Sequence, residues 1–148
     1  MDPIFCAGLG ALGGAWLSSA LMQRGLGLDR ARKIPLFLSA TCSIVGSGAF
    51  LAPSHIVALV LVSVALFGHF AWSSNIQTVI TEVLPRKHLA ALYGATGAAG
   101  TLMGAVTQPL VGYSVDRVGY GPAFAGTALT YILAISMLFG AGKIERIE

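Results

Sequence analysis

One stretch of the sequence gathers polar side chains that could bind a solute within apolar surroundings. His69, Trp72, Ser73, Asn75 and Gln77 follow one another closely, without a charged residue among them. On a helix that advances 100° per residue, His69, Ser73 and Gln77 share one face, and Trp72 and Asn75 lie on the adjacent face. Polar groups at membrane depth are costly and often mark a substrate path. Because they cover more than half the helix circumference, some of them are expected to bond neighbouring helices instead.

A second pattern is a stripe of glycines further along the chain. The stripe falls within about 120° of one helix face, and it consists of Gly94, Gly97, Gly100 and Gly104. Thr101 and Gln108 lie in the same sector. Such a stripe lets a neighbouring helix approach closely, so we predict tight packing there. The same thin face would also permit sliding or bending if the protein changes state.

Signatures of enzymatic chemistry do not occur. The sequence contains no HExxH or GxSxG motif, no acidic pair within an apolar run and no Walker-type loop. Cys6 and Cys42 form neither a CxxC motif nor a ligand pair with histidine. Gly8–Gly13 matches GxGxxG, but no βαβ pattern surrounds it, so we interpret its small residues as helix-packing positions. We therefore predict a protein that is not an enzyme and that needs no cofactor or metal ion.

The composition indicates where these patterns reside. The chain has 148 residues, of which 55% are hydrophobic and 10% are charged, and its mean hydropathy is +0.79. Soluble domains carry about 25% charged residues, so an ordinary soluble enzyme and a disordered chain are excluded. A net charge of +3 on nine Lys and Arg residues makes no basic patch for nucleic acid. The remaining class is an integral membrane protein, whose first partner is the lipid bilayer.

Five uncharged runs are long enough to cross a bilayer core of about 30 Å, which takes about 20 helical residues. They are expected to be helices, since lipid offers no partner to open backbone groups. The predicted fold class is therefore all-α, with five transmembrane helices. The predicted spans are Ile4–Met22, Ile34–Leu51, Ser54–Ile80, Leu89–Tyr113 and Pro122–Gly142.

The charges between the spans predict their orientation. The segments Arg24–Lys33 and Glu82–His88 carry excess positive charge and are expected in the cytoplasm, whereas the Ala52–Ser54 and Ser114–Gly121 turns are neutral. The N-terminus then starts outside and the C-terminus ends in the cytoplasm. The first apolar run lacks a preceding positive segment, so a transmembrane helix is favoured there over a signal peptide.

Two stretches resemble a known transporter family. The segment GGAWLSSALMQRG, Gly13–Gly25, followed by LDRARK resembles the cytoplasmic loop between helices eight and nine of major facilitator superfamily transporters. Ser19 and Ala20 stand where that loop normally has an Asp-Arg pair, while Arg24 and Arg30 keep its basic character. The stretch from His69 to Phe124 is similar to helices ten and eleven of the anion:cation symporter family, and most similar to its hexuronate-transporter branch.

The resemblance implies that residues 1–148 are the last five helices of a twelve-helix transporter domain whose N-terminal half is missing here. It implies a secondary active transporter in the inner, plasma membrane that carries out symport of a small organic anion, such as a hexuronate or other sugar acid, with a cation that is expected to be H⁺. Asn75 would then meet the hydroxyls of the sugar acid and Trp72 its ring face, with lesser roles for His69, Ser73, Thr101 and Gln108. Arg24, Arg30 and the glycine stripe would serve packing and gating. The alternative is a stand-alone small membrane protein that assembles with a partner and has no transport activity of its own.

Overall fold

The computed structural model describes residues 3–140 and 142–144. Five of its helices are long and apolar enough to cross a membrane, and the described part contains no strand. This confirms the predicted all-α fold class with five spans. The helices are α1 (Pro3–Gln23), α2 (Leu28–Gly46), α3 (His55–Val83), α4 (Arg86–Val118) and α5 (Gly121–Gly140), and a 3-10 turn (Ser47–Leu51) follows α2.

α2, α3 and α4 extend beyond the predicted spans into the charged segments, whereas the described part of α5 ends at Gly140. α2 begins at Leu28 rather than at Ile34, so Arg30, Arg32 and Lys33 are helical and not in a loop. At the end of α1, Gly25 takes a φ of 82°, and its amide donates to the Met22 carbonyl at 3.0 Å. A left-handed glycine of this kind ends a helix. The connection from α1 to α2 is therefore much shorter than the charge pattern suggested.

The later boundaries follow ordinary capping chemistry. The Ser54 hydroxyl accepts a hydrogen bond from the Val57 amide at 3.3 Å and starts α3. Pro85 separates α3 from α4, and Gly119, with a φ of 81°, follows α4. α4 has 33 residues, which corresponds to about 50 Å of helix. It is thus long enough to pass beyond a bilayer core at its ends.

Glycines allow the first three helices to pack closely. A Cβ atom added to Gly10 would lie 2.2 Å from the Phe67 carbonyl oxygen, and one added to Gly68 would lie 2.5 Å from the Ser39 oxygen. These positions join α3 to α1 and to α2, so α1, α2 and α3 form the packed core. The contact at Gly10 supports the interpretation of Gly8–Gly13 as a packing segment rather than a nucleotide-binding loop.

The last two helices lie against this core more loosely. Within α4, every residue of which is described, none is buried. A Cβ atom added to any glycine of the predicted stripe would meet no atom of another element within 4 Å. The described chain therefore provides no helix that packs into that stripe. In α5, Tyr131 is buried at 7% exposure, and it anchors this helix to α3.

Candidate functional site

A groove of about 420 Å³ separates α3 from α4. The C-terminal half of α3 supplies one wall, and the glycine-rich N-terminal half of α4 supplies the other. Three of the six predicted substrate-binding residues, His69, Trp72 and Ser73, lie in it. The full lining consists of His69, Trp72, Ser73, Ile76, Gln77, Ile80, Tyr93, Thr96, Gly97 and Gly100.

Tyr131 of α5 supports two side chains of this groove. The His69 Nδ1 atom lies 2.7 Å from the Tyr131 hydroxyl oxygen, within hydrogen-bond distance. The Trp72 and Tyr131 rings meet edge to face, with their centroids 5.7 Å apart. Because Nδ1 is engaged by Tyr131, Nε2 is the imidazole nitrogen left for other partners. Tyr131 thus positions both His69 and Trp72.

The α4 wall of the groove is shaped by glycines, which have no side chain beyond a hydrogen atom. Gly97 and Gly100 line the groove, and nothing of another element approaches within 4 Å of where their Cβ atoms would be. The Thr96 hydroxyl donates to the Tyr93 carbonyl oxygen of its own helix at 2.9 Å. The two glycines therefore leave open the volume that ordinary side chains would fill.

The groove offers hydrogen bonds and an aromatic face but no fixed charge. Its lining includes an imidazole, two hydroxyl-bearing residues besides Tyr93, one amide and the Trp72 indole, and it includes no Asp, Glu, Lys or Arg. Neutral donors and acceptors of this kind suit the hydroxyls of a polar solute. An aromatic ring suits the apolar face of a sugar-like ring. A carboxylate would find no positive partner among the lining residues.

Asn75 lies behind the groove rather than in it. Its side chain is fully buried at the interface of α3 with α1, where its Nδ2 atom donates to the Ala71 carbonyl oxygen at 2.9 Å. A Cβ atom added to Gly14 would lie 2.8 Å from that same nitrogen. The Oδ1 atom has no hydrogen-bond partner among the described residues. The substrate-binding role of Asn75 therefore stays a prediction, and this arrangement does not supply it.

Thr101 and Gln108 lie on exposed faces of α4 and are not among the residues that line the groove. The Thr101 hydroxyl donates to the Gly97 carbonyl oxygen at 2.9 Å, so it is close to the groove along the helix. Gln108 lies two turns further on. Their substrate-binding roles stay predictions.

An ion pair between α2 and α3 was not anticipated from the sequence. The Arg32 guanidinium is 3% exposed, and its Nε atom donates to Glu82 Oε2 at 2.8 Å. A second guanidinium nitrogen contacts Glu82 Oε1, and a third donates to the Ser18 hydroxyl. Such a two-point contact is geometrically specific. It joins the start of α2 to the end of α3, whereas Arg24 and Arg30, the predicted gating residues, are exposed.

Tyr131 and the Arg32–Glu82 pair left weak signals in the sequence. Tyr131 is a tyrosine within an uncharged run, and a buried tyrosine hydroxyl usually finds a partner. Glu82 is the acidic residue of a segment that is otherwise positive. Neither signal names the residue at the other end of the contact, because the partners are 62 and 50 positions apart.

Comparison with known proteins relates the chain to transporters of sugar acids. No family model matches it. It is 28% identical over 147 residues to the D-galactonate transporter of Escherichia coli strain CFT073, covering 98% of this chain and 34% of that protein. It is 31% identical over 141 residues to the hexuronate transporter of Escherichia coli K12, covering 94% of this chain and 31% of that protein.

A third relative is named for two other sugar acids. The protein named "Probable galactarate/D-glucarate transporter GarP" of Escherichia coli K12 is 25% identical over 148 residues, which cover 99% of this chain and 33% of that protein. The chain thus spans about a third of the length of the curated relatives it matches. These relatives are transporters and not enzymes, in agreement with the prediction of a non-enzyme. The matches identify the chain as a homologue of the sugar-acid transporters of the major facilitator superfamily.

Proposed function

We propose that this chain forms helices eight to twelve of a sugar-acid transporter and that the groove between α3 and α4 is its share of the substrate path. The observation that carries this proposal is the groove itself. It is a neutral, hydrogen-bonding cleft with an indole wall, in a homologue of galactonate and hexuronate transporters. Buried hydrogen-bonding groups discriminate strongly in favour of a substrate that satisfies them.

In this proposal the groove binds the hydroxyl groups and the ring of the substrate, while the charged groups, the substrate carboxylate and the coupling cation, bind outside the groove. Trp72 covers the apolar face of the sugar acid, and His69, Ser73 and Gln77 bond its hydroxyls. The substrate carboxylate and the coupling cation, expected to be H⁺, are bound by the part of the transporter that precedes these helices. The lack of a formal charge among the lining residues supports this division.

The same proposal gives α4 a partner. None of its residues is buried and its glycine stripe is uncovered, while the relatives are about three times as long as this chain. We infer that the N-terminal half of the transporter packs against this helix. Thr101 and Gln108 would then face that half across the substrate path. Alternating access would rock the two halves around the groove, with Gly94, Gly97, Gly100 and Gly104 as the sliding surface.

Asn75 retains a proposed role on a separate observation. Its buried Oδ1 atom has no partner among the described residues, and an unpaired buried acceptor costs about 1–3 kcal/mol. A rotation of α3 in another transport state would offer this carbonyl to a substrate hydroxyl. In a complete transporter we therefore expect Asn75→Ala to weaken substrate binding more than Ser74→Ala does.

The proposed orientation puts the C-terminus in the cytoplasm and the protein in the inner, plasma membrane. The excess of positive charge in Arg24–Lys33 and Glu82–His88 supports it. Arg24 and Arg30 would lie at the cytoplasmic gate, beside the buried Arg32–Glu82 pair.

The test is transport by a fusion of this chain to the first seven helices of the hexuronate transporter relative. The fusion is reconstituted in liposomes, and uptake of labelled galactonate and glucuronate is measured with and without a proton gradient. We expect gradient-dependent uptake of at least one of them, and a loss of about tenfold or more in Trp72→Ala. Thr41→Ala, on an exposed position of α2 that does not line the groove, is the control and should transport normally. A folded fusion that transports neither acid, or that tolerates Trp72→Ala, would refute the proposal.

A further inference from the structure

A second groove lies between the start of α2 and the end of α5. It encloses about 470 Å³. Its lining divides into a polar end, formed by the first turns of α2, and an apolar wall formed by both helices. The lining residues are Asp29, Arg30, Lys33, Ile34, Phe37, Leu38 and Phe139.

Among the residues that the structure describes, the polar end holds surplus positive charge. The Lys33 ammonium contacts Asp29 Oδ1 at 2.8 Å and donates to the Gly142 carbonyl oxygen at 2.6 Å. The Ile144 amide donates to the same carboxylate at 2.8 Å. Asp29 is therefore already neutralised. Arg30 lines the groove and is exposed. Lys143, also exposed, lies between Gly142 and Ile144, whose backbone atoms contact Lys33 and Asp29.

The apolar wall is open where lipid would lie. Ile34, Phe37, Leu38 and Phe139 retain 39–53% of their exposure. The Phe37 and Phe139 rings meet edge to face with centroids 6.2 Å apart, and the Lys33 ammonium lies 5.7 Å from the Phe139 centroid. Arg30 and Phe37 are seven positions apart on α2, about 10 Å along the axis. Arg30 can thus lie at the level of lipid phosphates while Phe37 lies among acyl chains.

We propose that this groove binds an anionic phospholipid, with its phosphate against Arg30 and Lys143 and an acyl chain along Phe37, Leu38 and Phe139. A phospholipid matches both ends of the groove, because it joins a negative headgroup to a hydrocarbon chain. Basic pockets between transmembrane helices bind anionic headgroups in this way. The site involves neither α3 nor α4, so it does not depend on the proposed transport function.

A second copy of the chain fits the groove less well. Two copies inserted in the same direction would meet through a two-fold axis along the membrane normal. Such an axis would bring the Arg30 side chains of both copies to one level beside each other. The apolar wall would be covered, but the surplus positive charge would be opposed by like charge.

Native mass spectrometry of the purified 148-residue chain tests this site. The chain is released from detergent after titration with phosphatidylglycerol or with phosphatidylcholine of the same acyl chains. We expect stronger retention of phosphatidylglycerol, and a loss of about fivefold for each charge removed in Arg30→Gln and Lys143→Gln. Arg24→Gln removes the same charge from the same basic segment but outside the groove, and it should retain the lipid.

A second variant tests the apolar wall without changing any charge. Leu38→Trp fills the groove and should reduce retention of both lipids while the helical circular dichroism stays unchanged. Equal retention of the two lipids, or equal losses in Arg24→Gln and Arg30→Gln, would overturn the proposal. A lipid-free dimer that Leu38→Trp abolishes would assign the groove to a second copy and would also overturn it. None of these outcomes bears on transport, which the fusion measures separately.

Discussion

Glycine has opposite consequences in two regions of this molecule. In the α1–α3 core, Gly10, Gly14, Gly46 and Gly68 face other helices so closely that an added Cβ atom would lie within 2.8 Å of a neighbouring atom. On α4, the four glycines of the stripe meet nothing from another element within 4 Å. The first set creates contact and the second creates open volume. A small-residue stripe therefore predicts a close approach only where the chain also supplies the partner.

The largest effect should come from placing a side chain at a core glycine. Gly10→Leu forces carbon atoms against the backbone of Phe67, which cannot yield as a flexible side chain can. We expect a loss of about 3 kcal/mol or more in the free energy of unfolding, measured by denaturant titration in mixed micelles. Gly104→Leu adds the same side chain to the uncovered stripe and should change this value little. Equal losses would mean that the two regions do not differ as described.

The next largest loss of stability should come from breaking the ion pair that joins α2 to α3. Arg32→Met leaves Glu82 without its partner, and breaking a buried pair costs about 3–5 kcal/mol. Because the Glu82 side chain keeps 23% of its exposure, we expect Arg32→Met to lower the free energy of unfolding by less than a fully buried pair would, by about 2–3 kcal/mol. The same titration measures it. Arg30→Met, on an exposed position of the same helix, is the control, and a loss as large as that of Arg32→Met would contradict the assigned role.

A smaller effect separates the two contacts of Tyr131. Tyr131→Phe removes the hydrogen bond to His69 but keeps the ring contact with Trp72, and it should cost about 1 kcal/mol. Tyr131→Leu removes both contacts. In a Trp16→Phe background, Trp72 is the remaining tryptophan, and its quenching by acrylamide reports how firmly it is held. We expect increased quenching in Tyr131→Leu and little change in Tyr131→Phe. An equal increase in both variants would show that the hydrogen bond, and not the ring, holds the groove.

The sequence was sufficient for the elements and for part of the groove. Five uncharged runs predicted five helices, and the face shared by His69 and Ser73, with Trp72 beside it, does line a groove. α2 starts at Leu28 and not at Ile34. Its backbone hydrogen bonding continues beyond the apolar run of the sequence, and hydropathy alone does not show this.

The long-range contacts could not be predicted in the same way. Periodicity places residues on a face but does not say which helix that face meets, so Asn75 could equally belong to a cavity or to an interface. Gly68, Ala71 and Asn75 form a small-residue face directed at the core, and recognising it would have indicated that the Asn75 side chain lies at a helix interface. The pairings of Tyr131 with His69 and of Arg32 with Glu82 depend on how helices distant in sequence come together. No local pattern carries that information.

The central claim is that the groove between α3 and α4 holds a sugar acid, and a protection experiment addresses it most directly. In the fusion to the preceding seven helices, with Cys6 and Cys42 replaced by alanine, Ser73→Cys is labelled with a hydrophilic thiol reagent in the presence of galactonate or glucuronate. His55→Cys, exposed at the start of α3 and outside the groove, serves as the control. The account predicts that at least one acid slows labelling at position 73 severalfold, that sucrose does not, and that position 55 is unaffected. Labelling at position 73 that neither acid slows, or that sucrose slows equally, would contradict it.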